Sequence, residues 1–373
     1  MNRRIAVLFE FPTLNGGERS MLAVLKQLSN RAGLEFTALA PETGLLADEL
    51  ERQTIRHLPF CVRDESNHKR PVGELLASLR QVADDAAADV VHANSLSMSR
   101  LLGQLGADHP GFIRTGHLRD IIRLNRTVIG DLINNQQLIA VSAATRQFHI
   151  DQGLSEANCQ VIYNGVDTDE FRLRDRLEIR AKLLPKIASD ATMILNVGQI
   201  CLRKGQPALA DCVCELLNER DDLHLVIVGT RHSAKFESAE FERSIRAKFQ
   251  VASREQNLHV LGHRNDVASL MNAADLLAHV AHQEPFGRVL LEAAASRLPI
   301  LATNVGGTSE MLGPNEAHLI PPDCPASLAD GLHLMLSDED LRTSLATAAR
   351  KTIESKFKIA SASERLADFW HSC

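Results

Sequence analysis

The run Leu276-Leu277-Ala278-His279-Val280-Ala281-His282-Gln283-Glu284-Pro285-Phe286-Gly287-Arg288-Val289-Leu290-Leu291-Glu292 changes its period in mid-course. Leu276–Val280 is a short apolar stretch of strand length. Val289–Ser296 carries apolar residues at helical spacing. A strand feeding a helix through a short polar loop is the repeating unit of an α/β fold. Glu284 and Glu292 bracket the turn: the first lies in the loop, the second about one and a half turns into a helix that starts near Gly287. The loop lets Glu284 reach over the helix start, and Gly287 lets a ligand approach the backbone. The amides expected at a helix start near Phe286–Val289, at the positive end of the helix dipole, suit a phosphate. A bare pair of glutamates at this spacing is usually a cap and a solvated helix residue. The Pro-Phe-Gly between them, and Gly306-Gly307-Thr308-Ser309-Glu310 downstream, favour a ligand site.

The same alternation extends in both directions. Arg4–Phe9, Leu34–Ala40, Thr54–Phe60, Asp89–His92, Gly111–Thr115 and Leu138–Val141 are expected strands, with helices such as Gly16–Ser29 and Val72–Ala86 between them. The pattern restarts at Thr192–Val197, Leu223–Val228, Leu258–Leu261 and Ile300–Thr303, with helices over Pro207–Asn218, Ser238–Arg254 and Val267–Asn272. Short strands that are apolar on both faces predict parallel sheets covered by helices. The expectation is therefore α/β, with two doubly wound Rossmann-like domains facing a central cleft. We expect the first over 1–168, the second over 169–355, and a terminal helix over 356–373 that returns to the first. A linker is expected near 168–190, around the charged run Arg172–Arg176. A length of 373 residues accommodates two such domains.

Composition removes several classes. The net charge of −6 offers no global attraction to nucleic acid. The apolar run Ile5–Phe9 is too short for a signal-peptide core, and no stretch reaches the roughly 18 apolar residues of a membrane span. These features predict a cytoplasmic protein. Seven cysteines are scattered along the chain. The close pair Cys212 and Cys214, on an expected helix, is a poor zinc clamp, so reduced thiols are expected.

In doubly wound sheets ligands bind beyond the carboxyl ends of the strands, and the unusual polar residues of this chain follow its strands. Val197-Gly198-Gln199-Ile200-Cys201-Leu202-Arg203-Lys204-Gly205 places Lys204 where it can neutralise a phosphate leaving group, with Gly205 permitting close approach. Asn15-Gly16-Gly17-Glu18-Arg19 lays amides at a helix start. Arg114-Thr115-Gly116-His117-Leu118-Arg119-Asp120 brings a histidine to a strand end. Asn94 follows Asp89–His92, and Gly262-His263 follows Leu258–Leu261.

Taken together, Glu284–Glu292, Ala293-Ala294-Ala295, Leu298-Pro299-Ile300, Thr303-Asn304-Val305-Gly306-Gly307 and Glu310 resemble the donor-binding signature of the family 4 retaining glycosyltransferases, which have the GT-B fold. The resemblance runs over essentially the whole chain. It implies transfer of a sugar from a nucleoside-diphosphate-sugar co-substrate to a hydroxyl acceptor, with no separate cofactor; no metal is expected, because no Asp-x-Asp run occurs in a suitable loop. It implies that Glu284 contacts the transferred sugar, that Glu292 binds the ribose, and that amides of Phe286, Gly287 and Arg288 hold the diphosphate. Gly16 and Gly17 then near the donor phosphates, Lys204 grips them, His117 bonds the sugar, and Gly262 and His263 hold the base. The acceptor side is assigned to Glu18, Asn94, Arg119 and Asp120. Gln199 stands where the family usually has Arg, and Arg203 is the candidate replacement. Gly229-Thr230-Arg231 departs from the commoner Gly-x-Gly-Pro. Two other classes are kept: a sugar-nucleotide epimerase of the same fold, and a non-catalytic nucleotide-sugar binder that has lost the arginine. Many relatives act on lipid-linked acceptors. Peripheral membrane contact is accordingly assigned to Asn67–Arg70 and Arg119–Arg126. Donor and acceptor choice is assigned to Asp64–Arg70 and Thr230–Glu240.

Overall fold

The computed structural model describes residues 2–106, 111–231 and 236–373, with backbone only for 236–238; positions 232–235 of the Thr230–Glu240 segment lie outside the described residues. The chain divides into two units, one of Met1–Gly165 with Ile359–Cys373, the other of Val166–Lys358.

The first unit is built on seven parallel strands: β1 Arg3–Leu8, β2 Leu34–Ala40, β3 Arg56–Pro59, β4 Val90–Ala93, β5 Ile113–Leu118, β6 Gln137–Ala140 and β7 Cys159–Val161. Their order is β3-β2-β1-β4-β5-β6-β7. The second has six: β8 Thr192–Val197, β9 Leu223–Val228, β10 Leu258–Val260, β11 Leu276–His279, β12 Ile300–Thr303 and β13 His318–Ile320, ordered β10-β9-β8-β11-β12-β13. In each sheet the winding reverses once, between β1 and β4 and between β8 and β11. These reversals are the two topological switch points.

The sequence dictates this architecture through period-two burial. Ile5 and Val7 pack on one face of β1 with Met21, Leu25 and Leu28, while Ala6 and Leu8 pack on the other with Leu75 and Leu79. Every residue of β4, β11 and β12 is buried, as strands covered on both faces require. The helix Ile359–Ser372 lies against the helix Gly16–Leu28 and inserts Leu366, Phe369 and Trp370 into the first core. At Gly165 a Cβ would come within 2.7 Å of the Ile359 Cα, so only glycine allows the chain to pass there.

Two features differ from the sequence reading. β7 and β13, each of three residues, carry too few positions to show a period. The expected linker is structured over Arg176–Leu183, a helix packed on Val267–Ala273. Its Arg180 is 1% exposed and donates to the Ala273 and Ala191 carbonyls and to Asp275. The charge that made this segment look solvated is neutralised inside the unit. No described helix is long and apolar enough to cross a membrane.

Candidate active site

At the switch point of the second sheet, the loops after β8 and β11 are stitched together. The His282 amide donates to the Arg203 carbonyl at 2.9 Å, and Arg203 Nη1 donates to the Gln283 carbonyl at 3.2 Å. A Cβ on Gly205 would sit 2.2 Å from the Val280 oxygen, and its φ of +64° is the left-handed value glycine tolerates. This stitch delivers Lys204 Nζ to Glu284 Oε2 at 2.5 Å. His279, at the end of β11, donates to the same oxygen from Nε2 at 2.8 Å. Burial works to raise the Glu284 pKa, but the Lys204 charge and the His279 bond outweigh it and hold the carboxylate ionised, well below its usual range. Burial, then the Lys204 charge, keeps His279 neutral. The Glu284 carbonyl accepts from the Gly307 amide, so the loop after β12 joins the same cluster.

The helix Arg288–Ala295 begins directly beyond. Gly287 caps it at φ +92°, where a Cβ would meet Leu290 Cδ1 at 2.9 Å. Phe286 is buried and packs on Phe357, with ring centroids 5.9 Å apart. Arg288 Nε binds Glu292 Oε1 at 2.8 Å, one helical turn on. Further loops extend the same edge. The Gly229 amide donates to the Gly262 carbonyl at 2.8 Å, and a Cβ on Gly229 would lie 1.9 Å from the Gly198 oxygen. His263 is exposed. The Gln199 carbonyl accepts from Gln206. Thus Gln199, Lys204, Gly262, His263, Glu284, Phe286, Gly287, Arg288 and Glu292 all lie along the carboxyl edge of one sheet. Arg203, the candidate replacement for the family arginine, donates one N–H, from Nη1, to the Gln283 carbonyl.

The first sheet gathers a different set at its own switch point. Gly16 and Gly17 open the helix after β1. Asn94, after β4, donates to the Gly17 carbonyl at 3.2 Å. Arg119, after β5, donates to the Asn94 carbonyl and side-chain oxygen at 3.0 and 2.8 Å, and to Asn164 Oδ1 at 3.2 Å. Asp120 is exposed, and its carbonyl accepts from His149. Glu18, expected on the acceptor side, is 6% exposed and accepts the Asn15 amide as the third residue of a capping box. That spacing is a helix-start signal in its own right, and it accounts for the glutamate without a ligand. His117 is buried, and its Nδ1 lies 2.8 Å from Nε2 of His92.

Residues 14–170 match the profile of Glycosyltransferase Family 4, and 176–352 that of Glycosyl transferases group 1. The D-inositol 3-phosphate glycosyltransferase of Kineococcus radiotolerans is 31% identical over 360 residues, covering 85% of this chain and 76% of that one. The chain belongs to the group 1, family 4 glycosyltransferases. The capsular polysaccharide biosynthesis glycosyltransferase CapM of Staphylococcus aureus is 26% identical over 227 residues, 59% of this chain and 57% of its own length. The crystal structure of Anabaena HepE in complex with UDP and glucose superposes with a TM-score of 0.86 at 22% identity, covering all of both chains, and so shares the two-sheet fold.

His279 is not among the residues that the sequence singles out. It ends an otherwise aliphatic strand, Leu-Leu-Ala-His, and a lone polar residue there is the signal that was available. His92 was noted only as a strand end. Its role emerges from pairing across the sheet, which no spacing along the chain reveals.

Proposed function

We propose that this glycosyltransferase moves a sugar from a nucleoside diphosphate to a hydroxyl acceptor with retention of anomeric configuration and without a metal ion. One observation carries the reading. The ion pair of Lys204 and Glu284 meets at the second sheet's switch point, next to the amide-lined start of the helix Arg288–Ala295. HepE, which shares the fold, binds UDP and glucose. A uridine diphosphate sugar is therefore the first donor to test.

In this reading the amides of Phe286, Gly287 and Arg288 hold the diphosphate. Glu292, paired with Arg288, accepts from the ribose. Gly262 and His263 lie toward the base, and Glu284 and His117 orient the sugar. Gly16 and Gly17 approach the phosphates, and Asn94, Arg119 and Asp120 form the acceptor side. The acceptor oxygen attacks the anomeric carbon on the face from which the diphosphate leaves. The new glycosidic C–O bond forms as the bond to phosphate breaks, and the acceptor's proton passes to a departing phosphate oxygen. Lys204 and the helix amides stabilise the charge that builds there. Double displacement needs a carboxylate behind the anomeric carbon. Glu284, already holding Lys204 and His279 on one oxygen, is better suited to binding hydroxyls.

Among the described residues no cluster of three His, Cys, Asp or Glu side chains is placed to hold a metal. We also propose cytoplasmic action, with contact to an anionic membrane face through Ile122, which is 47% exposed and is followed by the exposed arginines 123 and 126. Co-sedimentation with anionic vesicles, lost in Ile122→Asp, tests that contact. The reaction itself is tested by the anomeric configuration of the product and by turnover in EDTA. An inverted product, or activity that returns only with added Mg²⁺, overturns the mechanism.

A further inference from the structure

Behind His117 a hydrogen-bonded chain runs through the first sheet. Thr115 Oγ1 of β5 lies 2.8 Å from Nδ1 of His92 on β4, and His92 Nε2 lies 2.8 Å from Nδ1 of His117. All three residues are buried. Trp370 and Phe369 of the C-terminal helix stand edge-on to the His92 ring, at 5.4 and 6.3 Å between centroids, and fix its plane. We propose that Thr115 and His92 hold His117 in the tautomer with its proton on Nε2, so that His117 meets the sugar as a neutral hydrogen-bond donor and not as a base. The contact with sugar rests on the function proposed above; the proton arrangement does not.

Every buried donor in the chain needs an acceptor. A neutral imidazole has one donor nitrogen and one acceptor nitrogen. The chain therefore has two self-consistent arrangements. In the first, the Thr115 hydroxyl donates to His92 Nδ1, His92 Nε2–H donates to His117 Nδ1, and the remaining His117 proton sits on Nε2. In the second every bond is reversed, and the Thr115 proton must find another acceptor. Among the described residues the Thr115 hydroxyl has no hydrogen-bond partner except His92. Stranding a buried hydroxyl proton is costly enough to favour the first arrangement by roughly tenfold or more. Both rings are neutral at ordinary pH. Burial first, and then the Arg119 charge, push His92 down to about 3 and His117 well below its usual value. His92 and Thr115 are thus positioning residues. They act through His117, and no sugar contact is assigned to them.

The test is a long-range ¹H–¹⁵N correlation spectrum of the full chain labelled with ¹⁵N-histidine, at neutral pH, with signals assigned through His92→Asn and His117→Asn. The expected result is a proton on Nε2 of both rings. A proton on Nδ1 of His117, or a His117 imidazolium, overturns the proposal. Because the spectrum needs no substrate, this outcome is independent of the enzyme's activity. A second arm uses Thr115→Val, which keeps the side chain's shape, and Thr115→Ser, which restores the hydroxyl. We expect the valine variant to mix the His117 tautomers and to lose about five- to tenfold in its preference for UDP-glucose over UDP, with UDP affinity unchanged and serine restoring both. A valine variant with unchanged tautomers and unchanged preference removes Thr115 from the device. A wild-type enzyme that binds UDP-glucose no better than UDP removes instead the sugar contact assigned to His117, and the spectrum still decides the proton arrangement.

Discussion

The two sheets reverse their winding at equivalent places and put opposite chemistry there. At the β1/β4 switch, Asn94, Arg119 and Asn164 are tied together through side-chain and main-chain oxygens, and the two nearby histidines are neutral. At the β8/β11 switch, a lysine and a histidine converge on one carboxylate oxygen beside a helix start. The backbones differ as well. Gly205 and Gly229 press against carbonyl oxygens at 2.2 and 1.9 Å for an added Cβ, whereas Gly16 would meet nothing within 4 Å. A site that must hold a leaving group's charge needs fixed dipoles and a fixed cation. A site that receives neutral hydroxyls can be built from amides and neutral rings. The same winding thus supports two kinds of recognition, set by the loops.

Breaking the stitched edge should have the largest effect. Gly205→Ala combines a clash with the Val280 oxygen and a left-handed φ. These cost about 1–3 kcal/mol for overpacking and about 1–2 kcal/mol for the backbone. Denaturant unfolding should show a loss of about 3 kcal/mol, with turnover falling alongside because Lys204 no longer reaches Glu284. Unchanged stability and turnover would mean that the loops are not held by this contact.

Acid sharpens the contrast from the first sheet's side. The folded-state pKa values of His92 and His117 are depressed, while in the unfolded chain both titrate near 6.5. Below about pH 6.5 the unfolded state therefore binds protons that the folded state refuses. Stability is fully present above that pH and is lost as pH falls toward about 3, the value to which His92 is pushed. Each histidine contributes a slope of about 1.4 kcal/mol per pH unit in that window. His92→Asn should flatten the acid limb of a stability–pH curve measured between pH 6.5 and 4. An unaltered limb would show that His92 does not stay neutral in the fold.

On the donor side, Lys204→Ala should lower turnover at least about tenfold, or roughly 1.4 kcal/mol of barrier, with Lys204→Arg recovering part of it. Steady-state kinetics with saturating donor make the comparison. Full turnover in the alanine variant would take Lys204 out of the chemistry.

Much of this contrast was legible in the chain itself, and for identifiable reasons. Strands such as Thr192–Val197 and Leu223–Val228 announce themselves because burial on both faces demands largely apolar runs. Glu284, Gly287 and Glu292 were legible because a loop, a cap and a helix lie consecutively along the chain. What stayed hidden depends on neighbours across a sheet or between loops. The sequence does not show that Arg203 donates to the Gln283 carbonyl, nor that His279 shares an oxygen with Lys204. Glu18 carries two readings in the sequence, because a capping box and an acceptor-side glutamate look alike in one dimension. The helix Arg176–Leu183 was hidden because its charge, most of all Arg180, is satisfied by carbonyls far away in sequence.

The smallest expected effect on the fold is also the cleanest probe of function. Gly16 opens the helix after β1, and an added Cβ there would meet no atom within 4 Å. Its φ lies outside the left-handed range, so alanine adds no backbone strain. Gly16→Ala should therefore change unfolding free energy by no more than about 0.5 kcal/mol. The space that the methyl enters is open in the folded unit, so any loss of transfer rate or of UDP-glucose affinity in this variant must arise at the bound ligand. Thermal unfolding and a binding isotherm on the same preparation separate the two. An unchanged melting temperature with weakened donor binding would put the first sheet's helix start against the donor. Unchanged values of both would leave the Gly16 position as a plain turn and confine phosphate recognition to the second sheet. The comparison with Gly205→Ala then becomes quantitative: the same methyl group is expected to cost several kcal/mol at one switch point and almost nothing at the other.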